Sequence, residues 1–149
     1  MRIEIDQSGK IENTNRKTVV AFSNSRSGAI VILSKDKKII QKYFRSIKKP
    51  RVFIYVTFVA LIYLLVKNVV SAHDQIIIDR EYPGYEKLIV KSIKNLLNVD
   101  GLSIDIAQID RKSSAHDLAW KELQSRIQKR ARKVTCNEVI KVIEKSGSI

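Results

Sequence analysis

A single cysteine, Cys136, stands in a chain of 149 residues. That excludes an intramolecular disulfide and a thiolate metal cage, and it fits a reducing, intracellular setting. Acid is scarce relative to base: 15 Asp and Glu against 28 Lys and Arg leave a formal charge of +13. An excess of that size implies an anionic partner, either nucleic acid or an acidic membrane surface. Aromatic residues make up only 7%, too few for a dedicated single-strand binder that stacks base after base. No apolar leader follows Met1, which runs straight into Arg2-Ile3-Glu4, so a secretory peptide is not expected and the expected compartment is the cytoplasm. Neither an internal repeat nor a low-complexity linker interrupts the chain. Its length suits one domain with a real core.

Long apolar runs are limited to one, residues 52–66, which read VFIYVTFVALIYLLV between Lys48, Lys49, Arg51 and Lys67. A membrane helix needs about 20 apolar residues, whereas about 10–14 mark a buried core helix. The run falls between these lengths, and basic residues at both ends give no orienting asymmetry. A span here would also separate the segments on either side of it, which the sheet described next requires to be neighbours. The alternative is a small membrane-anchored protein held by residues 52–66.

Residues 2–6 are expected to form a first strand, Thr18 to Phe22 a second and Ala29 to Leu33 a third, with a hairpin loop at 24–28. Ser34 and Asp36 start a helix whose apolar positions are Ile39, Ile40, Tyr43, Phe44 and Ile47. Pro50 ends or kinks it, and a second helix continues to about Val70. Gln75-Ile76-Ile77-Ile78-Asp79 is a fourth strand, buried on both faces. Pro83 and Gly84 open a third helix, with a stripe of Tyr85, Leu88, Ile89, Ile93, Leu96 and Leu97. Residues 102–109 alternate as a fifth strand. A final long helix from about Ser114 carries Leu118, Trp120, Leu123 and Ile127, with Trp120 assigned to the core. Residues 131–149 read as a basic helical appendage to a domain formed by 1–130.

Two of these strands end in a carboxylate before a turn: Asp6, ahead of Gln7-Ser8-Gly9, and Asp79, ahead of Arg80-Glu81-Tyr82-Pro83-Gly84. If the two strands are parallel neighbours, the carboxylates converge, and converging carboxylates bind divalent metal. Either aspartate could instead serve only its turn or cap the next helix. Likewise, Ser114-x-x-Asp117 could be a capping box.

The order β-β-β-α-α-β-α-β-α, with Asp6 and Gly9 after the first strand, resembles the ribonuclease H-like nuclease superfamily over the first 130 residues or so. Ile78-Asp79-Arg80-Glu81-Tyr82 is similar to the "T-D-S-x-Y" stretch of ribonuclease HI proteins, and Ala115-His116-Asp117-Leu118-Ala119 to their "A-D-x-L-A". The resemblance implies an α/β fold with a five-stranded mixed sheet, three antiparallel strands then βαβα, and helices on both faces. It implies a nuclease hydrolysing phosphodiester bonds in structured nucleic acid by two-metal catalysis with Mg²⁺, or Mn²⁺ in its place, and no small-molecule cofactor. The catalytic set would be Asp6, Asp79, His116 and Asp117, with Asp6, Asp79 and Asp117 on the metal. Glu81 and Asp110 are further candidates; Asp110-Arg111-Lys112-Ser113-Ser114 loosely resembles the "D-E-R-x-S-T" of resolvase-like ribosomal RNA processing nucleases. No glutamate occurs between Glu12 and Glu81, so the helix glutamate of ribonuclease HI has no counterpart and the resemblance is nearer the resolvase-like branch. His116 occupies the expected aspartate position, as histidine does in some resolvases.

Two basic helix faces would hold phosphates: Lys42 and Arg45 with Lys48 and Lys49, and Arg126 and Arg130 with Lys129, Arg132 and Lys133. Lys10, Arg80 and Lys112 complete the expected nucleic-acid contacts. A catalytically inactive nucleic-acid-binding protein on the same fold is the competing reading. Resolvases commonly pair, and the long apolar helix offers a surface for a homodimer.

Overall fold

The computed structural model describes residues 1–146 of the chain. Its strands are β1 (Arg2–Ser8), β2 (Thr18–Ser23), β3 (Ser27–Ile32), β4 (Gln75–Asp79), β5 (Ser103–Ala107) and β6 (Ala131–Val134). Its helices are α1 (Ser34–Ser46), α2 (Phe53–Val66), α3 (Glu86–Leu97), α4 (Ser114–Gln124) and α5 (Cys136–Ser146). The strands form one mixed α/β sheet in the order β5-β4-β1-β2-β3-β6. β1, β2 and β3 are antiparallel neighbours. β1–β4, β4–β5 and β3–β6 run parallel.

Strand parity assigns the two faces. Ile3, Ile5, Val20, Phe22, Ile30, Ile32, Ile76 and Ile78 join the larger core, which they share with α1, α2, α3 and α5. Val19, Ala21, Ala29 and Val31 pack on Leu118 and Ala119 of α4. Because successive side chains in a strand point to opposite faces, Glu4 and Asp6 of β1 and Asp79 of β4 belong to the α4 face. Helices therefore cover both faces, four on one and α4 on the other.

α2 shows why the apolar run stays inside. It is hydrophobic around its whole circumference, the pattern of a helix buried on all sides, and it contacts α1, α3, α5, β2 and β3. Among the described residues no helix is long and apolar enough to cross a membrane. Most side chains of α2 are buried within the chain, and Ile54, Tyr55 and Tyr63 are half-buried.

Several expectations are corrected. The sheet has six strands, because Ala131–Val134 pairs with β3. Residues 131–146 are thus a strand plus a helix and not a helical appendage. Parallel pairing with β4 stops at Ile5, but β1 continues to Ser8 on its antiparallel pairing with β2. Gly9, at φ +83°, makes the turn that follows, and a Cβ there would sit 2.6 Å from the Lys17 carbonyl oxygen. α3 begins three residues past Pro83, at Glu86, and leaves Tyr85 and Leu88 exposed, as is Ile39 of α1. α4 ends at Gln124, so Arg126, Lys129 and Arg130 lie on a loop and Arg132 and Lys133 on a strand, and the second expected basic face is not helical; α1 ends at Ser46, so Lys48 and Lys49 of the first lie beyond that helix. Trp120 and Ile127 are exposed as well. For Trp120 the reason is that a helix lying on a sheet buries only the face turned to it, which Leu118 and Ala119 occupy; Ile127 lies on the loop beyond the end of α4.

Candidate metal centre

The β1–β4 register pairs Arg2 with Gln75 and Ile5 with Ile78. One step further along both strands come Asp6 and Asp79, on the same face and at the same end of the sheet. The chain then leaves β4 through Arg80, and Glu81 turns back toward the pair. One carboxylate oxygen from each of Asp6, Asp79 and Glu81 lies within 4.8 Å of the other two.

Each carboxylate is positioned. Asp6, 3% exposed, accepts the Gln7 N–H at 2.8 Å on Oδ1, while its Oδ2 lies 2.6 Å from His116 Nδ1. Asp79 Oδ1 accepts the Ile109 N–H at 2.7 Å, which ties β4 to the segment after β5. Glu81 Oε2 accepts a hydrogen bond from the Lys10 ammonium at 3.2 Å. Beneath the cluster, Gln7 Nε2 donates to the Tyr82 hydroxyl at 2.8 Å and the Ile11 N–H donates to it at 3.3 Å. The Tyr82 ring packs edge-on against Phe58 of α2, centroids 5.2 Å apart, so the floor of the site rests on the main core.

Burial and like charge shape the electrostatics. Burial pushes the Glu81 carboxyl up to about 7; Lys10 pulls it down, and Asp6 and Asp79 push it up again. Burial also raises Asp6, opposed by its hydrogen bond to His116 and reinforced by the charge of Asp79. Three carboxylates crowded in a desolvated corner favour a proton or a cation, since like charges disfavour joint ionisation. Hard oxygen donors of this kind suit Mg²⁺ or Mn²⁺.

α4 decides which of its acids reaches the cluster. Its N-cap is Ser113, whose hydroxyl oxygen accepts the Ala115 N–H at 3.2 Å and whose O–H donates to Glu4 at 2.8 Å. The cap stands one residue before the Ser114 expected from a capping box. Pinned there, the first turn directs His116 at Asp6. Asp117, 100° further round, is exposed and pairs with Lys121 at 2.9 Å, outside the carboxylate group. Asp110 also stands outside it: its Oδ1 accepts the Lys112 N–H at 2.9 Å within its own turn. Glu81 occupies the third place instead.

A cavity of about 260 Å³ opens at the cluster, with Asp79, Arg80, Arg111 and His116 among its walls. Arg111 was not among the candidates from sequence, and its position after Asp110 in a basic, polar turn was the only signal for it. Of the expected phosphate contacts, Lys42, Arg45, Lys112, Arg126 and Arg130 are exposed. Arg80 stands 3.9 Å from Glu86, and Lys10 holds Glu81. Ser71-Ala72-His73-Asp74, which has the same sequence as Ser114-Ala115-His116-Asp117, lies before β4, away from the cluster, where Asp74 accepts the Ser71 N–H at 2.8 Å. No protein-family model matches the chain, and no curated protein matches it.

Proposed function

We propose that the chain is a divalent-metal-dependent nuclease of the ribonuclease H-like superfamily, nearer its resolvase-like branch, that hydrolyses phosphodiester bonds in structured nucleic acid. The observation that carries this reading is the convergence of Asp6, Asp79 and Glu81 at the end of two parallel central strands. The strand order β5-β4-β1-β2-β3 supports it, with β6 as an addition at the far edge. Support also comes from the charge of +13, which favours a polyanion.

Asp6, Asp79 and Glu81 would hold the metal. A bound Mg²⁺ would supply charge neutralisation at the phosphate and a more acidic water. The protein's own groups do the rest. Arg80 and Arg111, on the cavity wall beside Asp79, present guanidinium groups suited to phosphate oxygens. His116, oriented by Asp6, can hold or release a proton at the edge of the same cavity. Asp6 thus serves both the metal and the imidazole.

The test is a cleavage panel of junction, hybrid and single-strand substrates in Mg²⁺, Mn²⁺ and EDTA, run on the wild type and on Asp6→Asn. Metal-dependent cleavage lost in the variant, with nucleic-acid binding kept, is the expected result; unchanged cleavage would refute the assignment. One observation favours a second reading, a nucleic-acid-binding protein without catalysis. The Lys10 ammonium already lies 3.2 Å from Glu81 and can stand in for a cation. Calorimetric titration with Mg²⁺ separates the two, since a site closed by Lys10 takes up no metal.

A further inference from the structure

Trp120 is the only tryptophan of the chain, and it is 53% exposed. It lies on α4 one turn beyond His116, about 6 Å further along the axis at 1.5 Å per residue. The indole borders a cavity of about 630 Å³ whose walls include Ser27, Lys121, Lys129 and Arg130. Asp117 is also on this wall, where Lys121 neutralises it at 2.9 Å.

The loop that brings two of those cations to the cavity is fixed from below. Glu122 is 3% exposed, and its carboxylate accepts the Arg130 N–H at 2.6 Å and the Lys129 N–H at 3.2 Å. The Lys17 ammonium donates to the Ser125 carbonyl at the start of the loop. Arg130 Nη2 donates to the Ser27 hydroxyl at 2.7 Å. A buried carboxylate with its lone pairs given to backbone N–H groups is a rigid support. What it supports is the backbone of a loop that carries Lys129 and Arg130 beside the exposed indole of Trp120.

An aromatic face takes a nucleobase of any sequence by stacking, and adjacent Lys and Arg take its phosphates. We propose that this cavity binds an unpaired nucleotide of the substrate, with the base stacked on the Trp120 indole and the flanking phosphates on Lys129 and Arg130. The proposal rests on the nucleic-acid reading above and deepens it. With a single stacking residue the cavity suits one or two unpaired bases beside a duplex, not a long single strand.

Because Trp120 is the sole tryptophan, its fluorescence reports on this cavity directly. The probes are a fluorescein-labelled blunt DNA duplex and the same duplex with a short single-stranded tail, mixed with the full chain in EDTA. Tail-dependent quenching of Trp120 is expected, with none from the blunt duplex. Trp120→Ala should weaken binding of the tailed duplex about tenfold, within the range for loss of one stacked base, and leave the blunt duplex unchanged. Trp120→Phe should retain most of the affinity. The double substitution Lys129→Ala with Arg130→Ala should lower the slope of log affinity against log salt by about 1.5 for the tailed duplex. If the tailed duplex binds with unaltered fluorescence and equal affinity in Trp120→Ala, the cavity proposal is overturned and the nucleic-acid reading stands. Failure to bind either duplex overturns both. If Trp120→Ala changes the oligomeric state on a sizing column and not the binding, Trp120 is a contact between copies and the proposal is again overturned.

Discussion

His116 Nδ1 and Asp6 Oδ2 stand 2.6 Å apart, joining the first turn of α4 to the central strand β1 across 110 positions of sequence. The contact gives Asp6 an imidazole partner that Asp79 and Glu81 lack. It also opposes the upward push that burial exerts on the Asp6 carboxyl.

From this pairing we expect His116→Ala to lower metal-dependent cleavage by about 100-fold, the lower end for loss of a positioned acid or base. Metal affinity by calorimetry should change little, since the three converging carboxylates remain. The acid limb of the pH–rate profile should move to higher pH, because Asp6 loses the hydrogen bond that holds its carboxyl down. An unaltered rate and profile would restrict His116 to a structural role.

Glu81 supplies the pH dependence of stability. Its carboxyl rises from the ordinary 4.5 to about 7 in the folded chain. Between those values the native state holds a proton that the unfolded chain has released, so stability falls as pH rises from about 4.5 to about 7. Asp6, shifted in the same direction, adds with the same sign. Without divalent cation, the urea midpoint should be lower at pH 8 than at pH 5. Glu81→Gln should reduce that difference, and Mg²⁺ at pH 8 should restore the midpoint of the wild type. A midpoint independent of pH and Mg²⁺ in the wild type would contradict the electrostatic account of the site.

Lys37 tests the frame that carries Lys10 to the cluster. Its side chain is wholly buried, and its ammonium donates to the carbonyls of Lys10 and Asn13 at 3.1 and 2.8 Å and to the Thr18 hydroxyl at 2.9 Å. Burial depresses its pKa to about 8, so its share of stability rises as pH climbs from about 8 toward 10.5. Lys37→Met keeps the volume, removes every donor and leaves buried acceptors unpaired, a loss of about 1–3 kcal/mol. Urea unfolding at pH 7 measures it. Unchanged stability would mean that the loop over residues 10–17 holds without the clamp.

The parts of the fold legible in sequence were those set by local pattern. β4 was bounded by Gln75 and Asp79 as expected, because three successive isoleucines before an acid and a turn suit only a strand buried on both faces. Asp6 and Asp79 were legible as a pair for the same reason. What escaped depended on distant partners. Ala131–Val134 is basic and short, and becomes a strand only because β3, about a hundred residues earlier, presents an open edge. Glu81 was legible only as a further candidate: it follows its strand by two residues, so its direction is set by the turn through Pro83 and Gly84 and by Lys10. The choice between His116 and Asp117 depends on one helical step of α4, and the hydrogen bond from Ser113 to Glu4 sets that phase. Trp120 was assigned to the core from residue type alone, while the helix had only one face to give.

The burial of α2 also sets an order of events. Residues 53–66 leave the ribosome well before residues 131–146, which supply β6 and α5, and α5 is one of the helices that cover α2. Until then a 14-residue apolar helix lacks part of its shield and is open to self-association or to a chaperone. The nascent chain is therefore most vulnerable over the interval in which its second half is being made.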